Sequence, residues 1–441
     1  MTDLARALDA VLPAARADLE ALAQIPSISA DPAHADDVRR AADQVAGLAR
    51  DAGAEDVQVL AAGGAPAVVA TWPAPAGAPT VLLYAHLDVQ PTGPEQEWTS
   101  PPFEPTERDG RLYGRGAADD KAGVLMHLAV LRAFDGRPPV GVVLFVEGEE
   151  EIGSPTLTAL LAAHRDLLRS DVIIIADSAN AAVDVPAFTT SLRGLAEATV
   201  ELRLLERPVH SGMYGGPVGD ALTGLCRLLA TLHDDVGDVA VKGLHVGTSS
   251  APDVAVEVFS ADAGLLPGAE LIGSGTVPER LWHRPAVAVI GIDAPAVADA
   301  ATVLLPCARA KVSLRLAPGD DGRRALAALT DHLQDHAPWG ADVVVTPGAV
   351  GEPYALEATG DVYGIARAAF AEAYGNEAVE AGIGGSIPFI AEFARTFPGA
   401  TVLVTGVGDP ASRWHGIDES LDLAMWRRAC LAEALLLSRL A

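Results

Sequence analysis

The sequence predicts an α/β protein with a mostly parallel central sheet, interrupted by an inserted α+β unit. Three observations carry that reading. Short apolar runs at 81–84, 140–146 and 172–176 are free of charge at every position, as strands covered by helices on both faces are. Helical patterns at 121–134 and 155–168 separate them. Between about 192 and 351 the alternation gives way to a different order of elements.

Taken in order, residues 1–22 are Ala-rich but carry Asp3, Arg6, Asp9, Arg16, Asp18 and Glu20, which predicts an amphipathic helix rather than a leader. Strands follow at 68–72 and 80–84, then the helix 121–134, the strand 140–146, the helix 155–168 and the strand 172–176. The middle segment reads as a strand at 195–205, a helix at 218–232 and an irregular Gly/Ser-containing stretch. It continues with strands at 286–292 and 311–316, a helix at 320–336 and a strand at 341–345. That βαββαβ order is the ferredoxin-like arrangement. Its second helix has Asp320 as an N-cap candidate and Ala325, Leu326, Leu329 and Leu333 at helical spacing. The first pattern resumes with helices at 361–373 and 388–395, a strand at 400–405 and a helix at 421–440. Residues 1–191 and 352–441 are therefore expected to form one discontinuous domain around an insert at 192–351.

Composition bounds the partners. A chain of 441 residues exceeds one ordinary core. A formal charge of −28 argues against nucleic acid and against attraction to an anionic membrane. No uncharged apolar stretch reaches the ~18 residues of a membrane span. Cys226, Cys307 and Cys430 lie far apart in apolar patterns, with no C-x-x-C pair, and are expected to be buried, reduced thiols of a cytoplasmic protein.

Open α/β sheets carry their sites beyond the carboxyl ends of the strands. His86 and Asp88 follow the first run, Glu147 to Glu151 the next, Asp177 the third, and His415 comes soon after 401–404. Between the first two, Gly114-Arg115-Gly116-Ala117-Ala118-Asp119-Asp120-Lys121 forms a Gly-rich turn into a helix. Alone, each has an ordinary reading: a packed histidine, a helix cap at Asp119 or Asp120, an acidic surface turn. Together they bring two histidines and several carboxylates to one edge, where the carboxylates repel unless a cation neutralises them. Mixed His and carboxylate donors suit zinc, with manganese or cobalt as alternatives.

His86-Leu87-Asp88, the Gly114–Lys121 turn, Glu149-Glu150-Glu151-Ile152-Gly153-Ser154 and Asp177 resemble, in order, the motifs of the M20 metallopeptidase family. So do Ser191-Leu192-Arg193-Gly194, His210-Ser211-Gly212-Met213-Tyr214-Gly215-Gly216, Ser313-Leu314-Arg315-Leu316-Ala317-Pro318, Gly384-Gly385-Ser386-Ile387-Pro388 and His415. The His-Ser-Gly-x-Tyr-Gly-Gly element and the long insert are most similar to the carnosinase-like dipeptidase branch. The resemblance implies a zinc-peptidase-like catalytic domain holding two divalent metal ions, with Asp119 bridging them. His86 and Asp177 would complete one site, Glu151 and His415 the other. Asp88 would orient the His86 ring, Glu150 would be the general base, and Glu149 an outward or supporting carboxylate. The choice of Glu150 and Glu151 over their neighbours follows the spacing to Gly153-Ser154.

The resemblance also implies that the insert serves as a lid and forms a homodimer. His210 would then reach the partner's site and stabilise the oxyanion, while Arg315, Gly385 and Ser386 would hold the substrate's carboxylate. Three departures lie near these contacts: Ile383 where an acidic residue is common, Pro208-Val209 where an Asp is common, and Gly416-Ile417-Asp418-Glu419 after His415 where the branch has Ser-x-Asn-Glu. The expected activity is hydrolysis of dipeptides or small carboxylate-ended peptides. N-acyl or N-carbamoyl amino acid amidohydrolysis at the same site is the alternative, and an inactive binding protein of the same fold the third reading.

Overall fold

The computed structural model describes residues 3–249, 251, 253–384 and 388–441. They fall into two compact units, one of residues 3–190, 356–381 and 388–441, the other of 191–355 with 382–384.

The first unit is built on a six-stranded sheet in the order Asp56–Leu60, Ala67–Trp72, Gly141–Glu147, Thr80–His86, Val172–Ile175, Thr401–Val404. The last four run parallel, and Ala67–Trp72 is antiparallel to both of its neighbours. Every residue of Gly141–Glu147 is buried, which explains its unbroken apolar run: helices cover both faces. The helix Lys121–Ala133 is buried on all sides as far as Leu131. Truncating a central side chain such as Leu83, fully buried in this core, should cost about 2–5 kcal/mol. Lys121 itself is buried, and its Nζ donates to the carbonyls of Leu22 and Ile25 at the end of Asp3–Ala23. Burial pushes its ammonium down to about 7.

Because the four parallel strands point the same way, His86, Glu147, Ile175 and Val404 end at one edge. A small antiparallel sheet of Thr106–Arg108, Arg111–Tyr113 and Ser420–Asp422 pairs Ser420 with Tyr113.

The second unit holds a four-stranded antiparallel sheet in the order Ala286–Asp293, Cys307–Leu316, Gly194–Arg203, Asp342–Gly351. Buried and half-buried residues alternate along Gly194–Arg203. That is the period of a sheet with one covered face. The helices Ala221–Ala230 and Gly322–Asp335 supply the cover, packing Leu225, Leu228, Ala325, Leu329 and Leu333 against Val200, Leu202, Val312 and Leu314.

Several expectations need correction. The second of these helices is capped by Asp321, whose carboxylate accepts from Arg324 N, and not by Asp320. The helix expected over 155–168 is only Leu157–Ala163. Cys226 and Cys307 are exposed and only Cys430 is buried, because the first two sit on the outward side of a one-faced layer. The helix Ala35–Asp51 and the strand Asp56–Leu60 were not anticipated. No helix among the described residues is long and apolar enough to cross a membrane.

Candidate active site

His86 is the last residue of its strand and is fully buried. Its Nε2 lies 3.1 Å from Asp119 Oδ1 and 4.0 Å from both Glu150 Oε2 and Asp177 Oδ1. The other oxygen of Asp119 is 3.0 Å from His415 Nε2, which is 3.2 Å from Glu151 Oε2. Asp119 thus stands between the two imidazoles. Two donor groups overlap at His86: His86–Asp119–Glu151 and His86–Glu150–Asp177, each with its ligand atoms within 4.8 Å of one another. His415 adopts a left-handed backbone (φ 59°), a conformation that costs ~1 kcal/mol or more outside glycine.

The electrostatics follow from packing carboxylates together out of water. Burial and the charges of Asp119 and Glu151 push Asp177 up to about 7. Burial, with Asp177 next, raises Glu150 well above the carboxylate range. For Asp119 burial acts in the same direction, but hydrogen bonds with His415 and His86 overcome it and hold the carboxyl below its ordinary value. His86 is held well above its usual value by Asp119 and Asp88 against the effect of burial. His415 is pushed up to about 10 by Asp119 and Glu151. Surplus negative charge therefore draws in protons, and a divalent cation would displace them. The nitrogen and oxygen donors, their spacing and their burial fit a metal of the zinc, manganese or cobalt kind.

Asp88 accepts from the backbone N–H groups of Glu150 (3.2 Å) and Glu151 (3.0 Å), tying the glutamate turn to the His86 strand. The nearest partner of His86 Nδ1 is the Asp88 carbonyl at 3.1 Å, with the carboxylate at 3.4 Å. Asp120, the alternative to Asp119, turns away and accepts from His86 N. Glu149 does not face outward. It is buried, accepting from Thr156 N and Oγ1 and from Ala65 N, so it anchors the turn that carries Glu150 and Glu151. Gln90, overlooked in the sequence, donates to the carbonyl and carboxylate of Glu151. Its only signal is its place two residues beyond Asp88.

His210 and Arg315 belong to the other unit. The exposed His210 ring accepts from Gly212 N at 3.0 Å. Arg315 is half-buried on Cys307–Leu316, opposite Ala286 and Leu195. Gly385 and Ser386 lie outside the described residues.

Residues 82–439 match the model of Peptidase family M20/M25/M40. The chain is 36% identical over 410 residues to the cysteinylglycine-S-conjugate dipeptidase of Corynebacterium striatum, covering 91% of this chain and 90% of that one. It is 32% identical over 273 residues to the Beta-Ala-His dipeptidase of Rattus norvegicus, covering 58% and 55% of the two chains. Among solved structures, the di-peptidase Dug1p from Saccharomyces cerevisiae superposes with a TM-score of 0.82 at 23% identity. That superposition covers 100% of this chain and 98% of Dug1p.

Proposed function

Because the chain belongs to Peptidase family M20/M25/M40, we propose that it is a di-metal dipeptidase, with zinc as its first-choice ion, cleaving short peptides that end in a free carboxylate. The observation that carries the proposal is Asp119 placed between the two imidazoles, one carboxylate oxygen 3.1 Å from His86 Nε2 and the other 3.0 Å from His415 Nε2, with Glu151 and Asp177 beside them. In this reading His86, Asp119 and Asp177 hold one ion, and Asp119, Glu151 and His415 the other. When bound, such a pair polarises the scissile carbonyl and makes water a nucleophile near neutral pH.

Glu150 is the proton carrier. Burial and the neighbouring Asp177 raise its proton affinity, which suits a group that takes a proton from the attacking water and delivers it to the leaving amine. Asp88 fixes it by accepting the backbone N–H groups of the turn. The inserted unit acts as a ferredoxin-like lid and dimerisation domain; its strand order and two helices on one face support the assignment. From it His210 stabilises the oxyanion of the partner's site, and Arg315, with Gly385 and Ser386, binds the substrate carboxylate. Three free cysteines support a cytoplasmic location.

A panel of dipeptides, including Cys-Gly conjugates and β-Ala-His, set against N-acetyl, N-succinyl and N-carbamoyl amino acids tests the substrate class. Turnover of the acylated set alone overturns the dipeptidase assignment. Glu150→Gln should lower kcat by about 10²–10⁴-fold while two metals per chain remain. If one metal is lost instead, Glu150 is the ligand and Glu151 the base.

A further inference from the structure

We propose that Glu419 is a positioning residue, whose carboxylate holds the backbone of 116–119 and, through Arg115, the loop of His415, fixing the spacing of Asp119 and His415 before any metal arrives. The inference rests on the di-metal reading above.

Glu419 is fully buried, and its two oxygens are saturated by protein donors. Oε1 accepts from Ala118 N (2.9 Å) and from the N–H of Asp119 itself (3.1 Å). Oε2 accepts from Gly116 N (3.0 Å) and Arg115 Nη1 (2.7 Å). A carboxylate offers about four lone-pair directions, so none is left for a metal. Its charge is spent on aligning the turn that presents Asp119.

The same clamp reaches the second loop. Arg115 is buried, and its Nη2 donates to the carbonyls of Pro91 and Gly416, both at 3.2 Å. Gly416 directly follows His415. The Glu419 carbonyl accepts from Gly114 N at 3.0 Å, and pairing of Ser420 with Tyr113 fixes the register of the two segments. Residues about three hundred apart in sequence are thus locked around one carboxylate. Buried charges of this kind persist only when their hydrogen-bonding demand is met, and here Arg115 Nε alone lacks a partner.

Glu419→Gln is a sharp test because the amide, in either orientation, turns an NH₂ group toward two N–H donors. In full-length protein stripped of metal, it should speed hydrogen exchange at the amides of 116, 118 and 119 at least tenfold. Titration with zinc, and with cobalt followed by its visible absorption, should show binding weakened about 10–100-fold. kcat should recover at saturating metal with KM unchanged.

Glu433→Gln is the control, since Glu433 is a buried carboxylate of the same unit bonded to His127, away from both loops. Metal affinity of Glu419→Gln within twofold of wild type overturns the proposal, as does an equal loss in the control. If Glu419→Gln fails to fold, Arg115→Lys replaces it. That variant keeps the charge but not the fork, and unchanged exchange and affinity in it overturn the proposal equally. A wild-type protein that binds two metals but cleaves no dipeptide refutes the proposed activity and leaves the clamp standing.

Discussion

Glu147 ends the central strand Gly141–Glu147 with no solvent exposure, and replacing it with glutamine should make the protein more stable. One carboxylate oxygen accepts from Tyr84 Oη at 2.8 Å, and the Ser154 hydroxyl faces the carboxyl as a second donor, but together they do not offset the cost of burial. Burial pushes this carboxyl from 4.5 up to about 7. At about 1.4 kcal/mol per tenfold change in proton affinity, the gap amounts to about 3 kcal/mol. The sign follows from which state holds the proton. Below pH 4.5 folded and unfolded chains both carry it, so the buried group costs nothing electrostatic. As pH rises from there toward about 7, the unfolded chain has released the proton while the folded chain retains it, and stability falls. Above about 7 the folded chain bears a buried charge and the cost is complete.

Glu147→Gln keeps an oxygen to accept from Tyr84 and removes the charge. Urea unfolding of metal-free wild type and variant, followed across about pH 5 to 8, should give curves that diverge. The variant's advantage should grow to about 3 kcal/mol at the alkaline end. Parallel pH dependence in the two proteins would refute the reasoning. Metal-free protein is required because a cation at the adjoining edge would itself favour the ionised form.

Gly406→Ala should be poorly tolerated, because a Cβ there would overlap the backbone of Ser178. Overpacking of about 1–3 kcal/mol is expected, and since Asp177 precedes Ser178, elemental analysis should show depleted metal. Asp220 caps Ala221–Ala230 by accepting from Thr223 N, and its other oxygen accepts from Leu305 N. Asp220→Ala should cost about 1–2 kcal/mol in thermal unfolding with metal content unchanged. His210→Ala should lower kcat by about 10²–10³-fold with metal retained. Mixing it with Glu150→Gln should restore part of the activity, and dimers that demonstrably exchange subunits without rescue would exclude action in trans.

The proposed ligand residues were legible because a strand buried on both faces leaves an unmistakable signature: an apolar run that stops abruptly at a polar residue. His86, Asp177 and the Glu147–Glu151 segment each announce themselves that way. Elements with weaker contrast were missed. Ala35–Asp51 buries mostly alanines, with only Val38 and Val45 as larger fully buried side chains, and Asp56–Leu60 is an edge strand with no buried residue. The supporting carboxylates were least visible. Glu149 and Glu419 act on backbone N–H groups far away in sequence, at Ala65 and at 116–119, and such partners leave no periodicity. Of the two readings open for Glu149, outward or supporting, the supporting one holds, and both carboxylates are buried.

The sheet order has a consequence for biosynthesis. The outermost parallel strand, Thr401–Val404, and the histidine beyond it emerge from the ribosome after the whole inserted segment. The insert's sheet is contiguous in the chain and has everything it needs once residue 351 is made. The larger unit must wait with Val172–Ile175 as a bare edge, its last pairing partner unmade. On the proposed assignment, no nascent chain short of residue 415 holds the full donor set, so the order of translation would keep a half-built hydrolase from capturing a second ion.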